Sequence, residues 1–493
     1  MKKTTLIIGI LALLKLLIQL LGNRNYGFHR DELLHLSVSE HLDWGFMEFP
    51  PLIGAIGRLS DWFFEYSLIG TRLFPTLAGV AILMLCCLMA KELKANRLGV
   101  ILAGVCVLAF VPFYRNHTLF QPVAFDQLFW TLGFYFIIRY FNTSHVKYLL
   151  LVGVALGFGL LNKYTMFIWA FGVFVGLIFH QKGQLLKDKW LYLSGGLALL
   201  IFLPNLIWQI QYDFPLVQHL QELNDSQLSD LGAFDFLLAQ LELPITFGMS
   251  LLGIVYLWRS KAHRSIAIAT ITIFMTMWLL RAKAYYIFAL YPILFAAGAA
   301  FLGHWLSTKI RVWQYVTVAA ILLPMLPFIP DMTPILPIQQ YVKYANIESE
   351  GVRYELTGDY ADMFGWEEQV RLVDSVYRSL SPEERANCVI WAENYGEAGA
   401  LKILGQQYDL PNPISRHGTF WTWGYDNPDA AVWISLGNEQ EAVEYAFAET
   451  ELVKIITHPY AIGEENGIPL YLCRQPKGDI AEWWAAYEAY VFE

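Results

Sequence analysis

Charge is scarce in this chain. Only 16% of its 493 residues are Asp, Glu, Lys or Arg, whereas 56% are hydrophobic and the mean hydropathy is +0.41. An average soluble domain carries about a quarter charged residues, so an ordinary soluble globular protein is excluded. Internal repeats and low-complexity segments are lacking too. Cysteine is sparse, with five in the whole chain. Cys86, Cys87 and Cys106 lie in apolar runs, where a buried and inert thiol is expected.

What the chain has instead is long apolar blocks separated by short polar clusters. A helix needs roughly 20 apolar residues to cross the hydrocarbon core, and the first two-thirds of the chain supplies such blocks repeatedly. The pattern predicts about eleven spans, at 4–22, 67–90, 98–114, 125–141, 147–162, 164–180, 190–210, 236–258, 265–280, 285–303 and 312–330. The first follows Met1-Lys2-Lys3 as a signal peptide would. It runs into Asn23-Arg24-Asn25-Tyr26 with no small-residue cleavage site, which predicts an uncleaved helix. Loops on one side of these spans hold fourteen Lys and Arg, including Lys91, Lys94, Lys187 and Arg259, against seven on the other. The positive side is cytoplasmic, so the N-terminus is expected inside and, after an odd number of spans, the C-terminal end outside.

From residue 331 the character changes. The segment 331–493 has 10 Lys and Arg against 27 Asp and Glu, a net charge of −17, while 1–330 carries +8. That break, within the proline-rich stretch Pro324 to Pro337, predicts a helical membrane domain over 1–330, with an outer loop at 23–66, and a separate extracytoplasmic domain over 331–493. Strand-like runs (Cys388 to Trp391, Ala431 to Ile434) alternate there with helix-like ones (Glu397 to Gln407, Glu439 to Phe447), which predicts an α/β fold. Cys388 and Cys473 would both face an oxidising compartment, which leaves a disulfide between them open.

Polar groups at membrane depth are costly and point to function; here they are expected to gather at the outer ends of spans. The richest cluster is the loop His29-Arg30-Asp31-Glu32-Leu33-Leu34-His35, followed by Trp44-Gly45-Phe46-Met47-Glu48-Phe49-Pro50-Pro51. Its apolar spacing allows an amphipathic helix at the membrane surface. Asp31 and Glu32 would point about 100° apart on that helix. One could face the reaction and the other a structural partner, or both could serve only the helix N-terminus and its dipole. On the same side lie Asp126, Lys163, His219, and Arg281-Ala282-Lys283-Ala284-Tyr285-Tyr286. Snorkelling to the lipid interface is the competing explanation for each base, and an interfacial belt for the aromatics. Bases on a side that is otherwise depleted of them favour positions that hold an anion.

The order His29-Arg30-Asp31-Glu32-Leu33, Trp44-Gly45-Phe46, Pro50-Pro51-Leu52, Asp126, Asn162-Lys163-Tyr164-Thr165, Pro204-Asn205-Leu206-Ile207-Trp208 and Lys283-Ala284-Tyr285-Tyr286 resembles bacterial family 39 glycosyltransferases. These are relatives of the dolichyl-phosphate-mannose protein mannosyltransferases and the lipid A aminoarabinose transferases. The tail motifs Glu393-Asn394-Tyr395-Gly396-Glu397-Ala398 and Phe420-Trp421-Thr422-Trp423-Gly424 resemble a subset of them. The resemblance implies a GT-C fold in the inner (plasma) membrane and a polyprenyl-phosphate-sugar donor. The acceptor it implies is an envelope lipid, glycan or protein, with no nucleic-acid partner. Asp31 matches the family's catalytic acid, a general base in an inverting displacement; Glu32 and Asp126 complete the acidic set. Lys163, Arg281, Lys283 and Tyr285 become candidates for the donor phosphate, with His29, Arg30 and Tyr286 as support. Glu48 and His219 fall where some relatives bind a divalent metal ion. Phe49 departs from the aminoarabinose enzymes, which place a Lys there, and this puts that sugar in doubt. The tail motifs could form an acceptor platform or simply the α/β core.

Two other functions would use the same features. A transporter or flippase of lipid-linked sugars would also want cations near a phosphate, and predicts charges near mid-span and discontinuous helices. A glycan-binding tail on a membrane anchor would not need eleven spans.

Overall fold

In the computed structural model, residues 2–223, 232, 234–349, 352–353, 355–425 and 427–486 are described. They form two compact units. The first comprises Met1–Asn23, Phe49–Ile53 and Arg72–Ile335, and the second Arg24–Glu48, Gly54–Thr71 and Leu336–Glu493. The chain therefore divides differently from the expected boundary at 330/331. Most of the 23–66 loop belongs with the tail, because the Arg30–Ser37 helix packs against the Tyr395–Leu404 helix.

The first unit is helical, and helix occupies each of the predicted intervals. Among the described residues six helices are long and apolar enough to cross a membrane, including Leu68–Glu92 and Lys189–Gln211; a seventh is added if one bent pair counts as a single span. That pair replaces the continuous span expected at 236–258. Asp235–Leu241 and Pro244–Arg259 meet at 101°, because Pro244 opens the second helix and Leu243 before it leaves helical geometry (φ −117°, ψ 68°). Likewise the interval 98–114 breaks at Phe110, ahead of Pro112. The interval 312–330 tightens into a 3-10 helix at Leu323–Phe328, which holds Pro324 and Pro327. Phe110 is buried at the centre of this unit, with the rings of Phe113, Phe288, Tyr291 and Phe295 within 4.7 to 5.7 Å of its own. Close backbone approach joins Pro244–Arg259 to Tyr291–Ser307. A Cβ at Gly253 would lie 2.2 Å from the Leu294 carbonyl, so a larger residue would force the helices apart.

Not all charge in this unit sits at outer helix ends. Lys15 and Arg72 are fully buried within apolar helices. Lys15 Nζ lies 4.7 Å from the centroid of the Tyr114 ring and, among the described residues, has no hydrogen-bond partner. Around it run neutral pairs: Gln19 Nε2 donates to Thr118 Oγ1 (2.9 Å), and His117 Nε2 meets Gln127 Oε1 (2.9 Å).

The second unit is built on a mixed five-stranded sheet, as the alternating pattern of the tail suggested. A small hairpin, β1 (Glu348–Ser349) with β2 (Val352–Arg353), precedes it. The sheet contains β3 (Cys388–Ala392), β4 (Pro413–Ile414), β5 (Val432–Leu436), β6 (Phe447–Ile456) and β7 (Ile468–Pro476), in the order β4-β3-β5-β7-β6. β3 runs parallel to β4 and β5, whereas β7 is antiparallel to β5 and β6. β3 and β5 are buried along their whole length, which explains why they read as unbroken apolar runs. The register rules out the open disulfide. Cys388 pairs with Val432 and Cys473 with Trp433, so β5 lies between them. Two strand spacings are roughly 9.6 Å, beyond disulfide reach, and both thiols are free and buried.

Candidate active site

The predicted site residues fall into two clusters, one in each unit.

In the second unit the cluster grows from a helix N-terminus. His29 is the N-cap of Arg30–Ser37: its Nδ1 accepts from the Asp31 backbone N–H (3.1 Å), and the Glu32 carboxylate accepts from the His29 N–H (2.9 Å). This reciprocal pattern is a capping box with a histidine in place of the usual hydroxyl. It engages Glu32, which is fully buried, in holding the helix and distinguishes it from half-buried Asp31. Asp31 Oδ1 accepts from the Tyr395 hydroxyl at 3.2 Å. Arg30 pairs with Asp362 (2.8 Å), Glu464 (3.1 Å) and Glu465 (3.9 Å). Burial alone would lower its pKa, but Asp362, Tyr395 and Glu465 outweigh that and raise it, so the guanidinium is a permanent cation. His29 Nε2 lies 3.7 Å from Asp359 and 3.6 Å from Asp362.

The tail presents these partners on prepared elements. Asn394 caps the Tyr395–Leu404 helix in a second capping box with Glu397, and the Tyr395 N–H donates to His417 Nδ1 (3.3 Å). Burial, then the charges of Glu465 and Glu393, raise Glu397 well above the ordinary carboxylate range. Burial also raises Glu465, against Arg30 and the amides of Asn394 and Gln369.

Glu48 binds the second tail motif. Its carboxylate accepts from the Thr419 N–H (2.8 Å) and from the Thr419 hydroxyl, and the Met47 N–H donates to the same hydroxyl (3.1 Å). Gly418, at φ +49°, makes room for it: a Cβ there would fall 1.7 Å from Glu48 Oε1. His41 stacks on Trp423 with centroids 4.2 Å apart. Burial raises the Glu48 pKa against the pull of those Thr419 bonds.

In the first unit, Asp126 sits near the start of Pro122–Thr143, buried, and its Oδ2 accepts from Thr165 Oγ1 (2.9 Å). Lys163, in the turn before Met166–Phe179, faces Asp126 electrostatically. Its Nζ stands 4.3 Å from the Tyr286 centroid and 5.4 Å from that of Tyr285, two rings packed edge to face at 4.6 Å. Lys283 acts on Tyr286 and on His219, whose pKa falls to about 4 through burial and then through that lysine. Of the four candidates for the donor phosphate, Lys163 and Tyr285 are thus brought together, beside Asp126 and Tyr286, and Lys283 acts on the same Tyr286. Arg281, by contrast, is exposed and in the left-handed region (φ 51°). Among the described residues no contact ties it to the cluster.

The donor set does not fit a divalent ion. Glu48 already accepts two hydrogen bonds from Thr419, and His219 lies beside a lysine cation. No group of three or more His, Cys, Asp or Glu among the described residues is placed to hold a metal. The resemblance pointed to Asp31 and Lys163 but not to Tyr395, Asp362, Glu465 or Thr419. The tail motifs carry Tyr395 and border Thr419, whereas no motif marked Asp362 or Glu465.

These features define a polytopic membrane protein of the GT-C fold with an α/β unit. Residues 48–208 match the family of dolichyl-phosphate-mannose-protein mannosyltransferases. The structure resembles ArnT from Cupriavidus metallidurans, crystallised with undecaprenyl phosphate, at a TM-score of 0.59 and 12% identity, covering 95% of this chain and 97% of that one. It also resembles the Archaeoglobus fulgidus oligosaccharyltransferase in its apo form, at a TM-score of 0.51 and 14% identity, covering 83% and 64%. Comparison with curated proteins gives no match. The resemblance read from the motifs is thus borne out as a likeness: residues 48–208 match the mannosyltransferase family, and the fold is shared with the ArnT structure.

Proposed function

We propose that the chain is a membrane glycosyltransferase that moves a sugar from a polyprenyl-phosphate carrier to an envelope lipid, glycan or protein. In this reading it has eleven spans in the inner membrane, an internal N-terminus and an extracytoplasmic α/β unit. The acceptor hydroxyl attacks the anomeric carbon from the face opposite the phosphate, so the configuration inverts. As the new C–O bond forms, the bond to phosphate breaks and the polyprenyl phosphate leaves with the electron pair. Asp31 takes the acceptor proton. Lys163 and Lys283 meet the charge that develops on the leaving phosphate, and Asp126 holds Lys163 in place. No step is assigned to a metal.

The observation that carries this reading is the separation of roles in the Asp-Glu pair: Glu32 is spent on the cap, while Asp31 is held through its side chain by a phenol. The match over 48–208 and a structural relative crystallised with undecaprenyl phosphate support it. The test is a mass profile of lipid-linked sugars and envelope glycans in a strain lacking the gene, complemented with wild type or Asp31→Asn. Wild type should add a sugar, and the inserted, folded variant should lose roughly a hundredfold or more of that activity, on the order of a general-base contribution. Equal profiles from both would remove Asp31 from the chemistry.

A transporter of lipid-linked sugars is the second reading, favoured by the buried mid-helix Lys15 and the helix pair bent by 101°. Movement of a labelled lipid-linked sugar across vesicles by Asp31→Asn, with no product formed, would select it.

A further inference from the structure

We propose that Tyr395, on the tail of the second unit, is a positioning residue for Asp31, so that the tail is part of the catalytic apparatus. The inference rests on the reading of Asp31 as the base.

Two anchors fix Asp31. Its backbone N–H is bound by His29 Nδ1 and its side chain by the Tyr395 hydroxyl. A base held at both points is oriented before substrate arrives, and orientation of a reacting group is worth orders of magnitude in rate. Tyr395 is itself fixed on several sides. It opens a capped helix, its N–H is bound to His417, and the Arg30 guanidinium lies 6.0 Å from its ring. The helix also packs closely beside Asp31: at Gly399 an added Cβ would stand 2.9 Å from Leu33 Cβ, less than one turn beyond that residue.

The chemistry of the pair is consistent. Burial, then the charge of Asp31, raises the Tyr395 pKa well above its ordinary value, so the phenol keeps its proton and remains a donor. A donor on a carboxylate favours the ionised form, the form able to accept a proton.

The test follows product formation across pH in membranes of the deletion strain, which supply their own lipid-linked sugars, carrying wild type, Asp31→Asn, Tyr395→Phe, or a ring-fluorinated tyrosine at 395. Product from wild type and none from Asp31→Asn upholds the base. Given that, Tyr395→Phe should lose about tenfold in rate, and the acid limb of its profile should move up by about half to one pH unit. The fluorinated residue, equal in shape with a more acidic hydroxyl, should move that limb down. A purely structural tyrosine would move neither limb, and unmoved limbs in folded variants overturn the proposal while leaving the base intact. If Tyr395→Phe fails to fold, the fluorinated variant decides alone. Absence of product from wild type overturns the functional reading and this inference with it.

Discussion

Arg30 and Lys15 are both withdrawn from water, one in each unit, and are stabilised by different means. Arg30 is ringed by Asp362, Glu464 and Glu465. Lys15 has the face of Tyr114 and, among the described residues, no carboxylate. Desolvating a charge costs several kcal/mol; charge pairs offset it for Arg30, whereas Lys15 gains only a ring quadrupole of about 2 kcal/mol. The second unit therefore ties part of its stability to Arg30, whose removal would leave the largely buried carboxylates of Asp362 and Glu465 without their counter-charge. The first unit tolerates an isolated polar group inside a large apolar core.

The sharpest way to break this contrast is Arg30→Met, which strands buried carboxylates. It should destabilise the second unit by about 3–5 kcal/mol, seen as tail proteolysis at lower urea than in wild type. An unchanged midpoint would mean the ring of acids contributes nothing.

A smaller effect separates the acids from their cation. Glu397 and Glu465 have pKa values raised above their unfolded values, so the folded unit binds more protons than the unfolded chain. Stability should therefore fall as pH rises above about 4.5, by at most about 1.4 kcal/mol per pH unit for each proton. Glu397→Gln, which keeps an acceptor for the backbone N–H groups of Glu393 and Asn394, should flatten that slope. A slope equal to wild type would assign it elsewhere.

The smallest change belongs to Lys15→Met. Replacing an unpaired buried lysine by an apolar side chain of similar length should leave thermal unfolding in detergent unchanged or shift it upward. A large loss of stability would reveal a partner for Lys15 and erase the contrast.

What the sequence disclosed, and what it did not, follows from the range of the forces involved. Apolar runs are local, so the helices of the first unit, and β3 and β5 of the second, were legible. The break at Leu243 was not anticipated, because average hydropathy runs smoothly across Pro244 even though the backbone cannot. Lys15 passed unnoticed for the same reason, as a single base within the apolar block 4–22. Asp31 and Lys163 were marked by motif, but the partners of Asp31 were hidden. Nothing between residues 31 and 395 encodes their meeting except complementary surfaces. Glu48 was singled out only through the resemblance, at a position where some relatives bind a metal, and the sequence offered no sign of its partner. Its carboxylate accepts from Thr419, 371 positions further along the chain, next to the left-handed backbone of Gly418.

The bond between Asp31 and Tyr395 joins positions 364 apart. A ribosome working at roughly 5–20 residues per second delivers the second of them tens of seconds after the first. For that interval the nascent chain already carries the acid, the lysines and the helices, yet the acid has no fixed orientation. Translation past residue 395 is thus also the moment the Asp31 side chain can gain its phenol partner, and a chain released earlier would lack that bond.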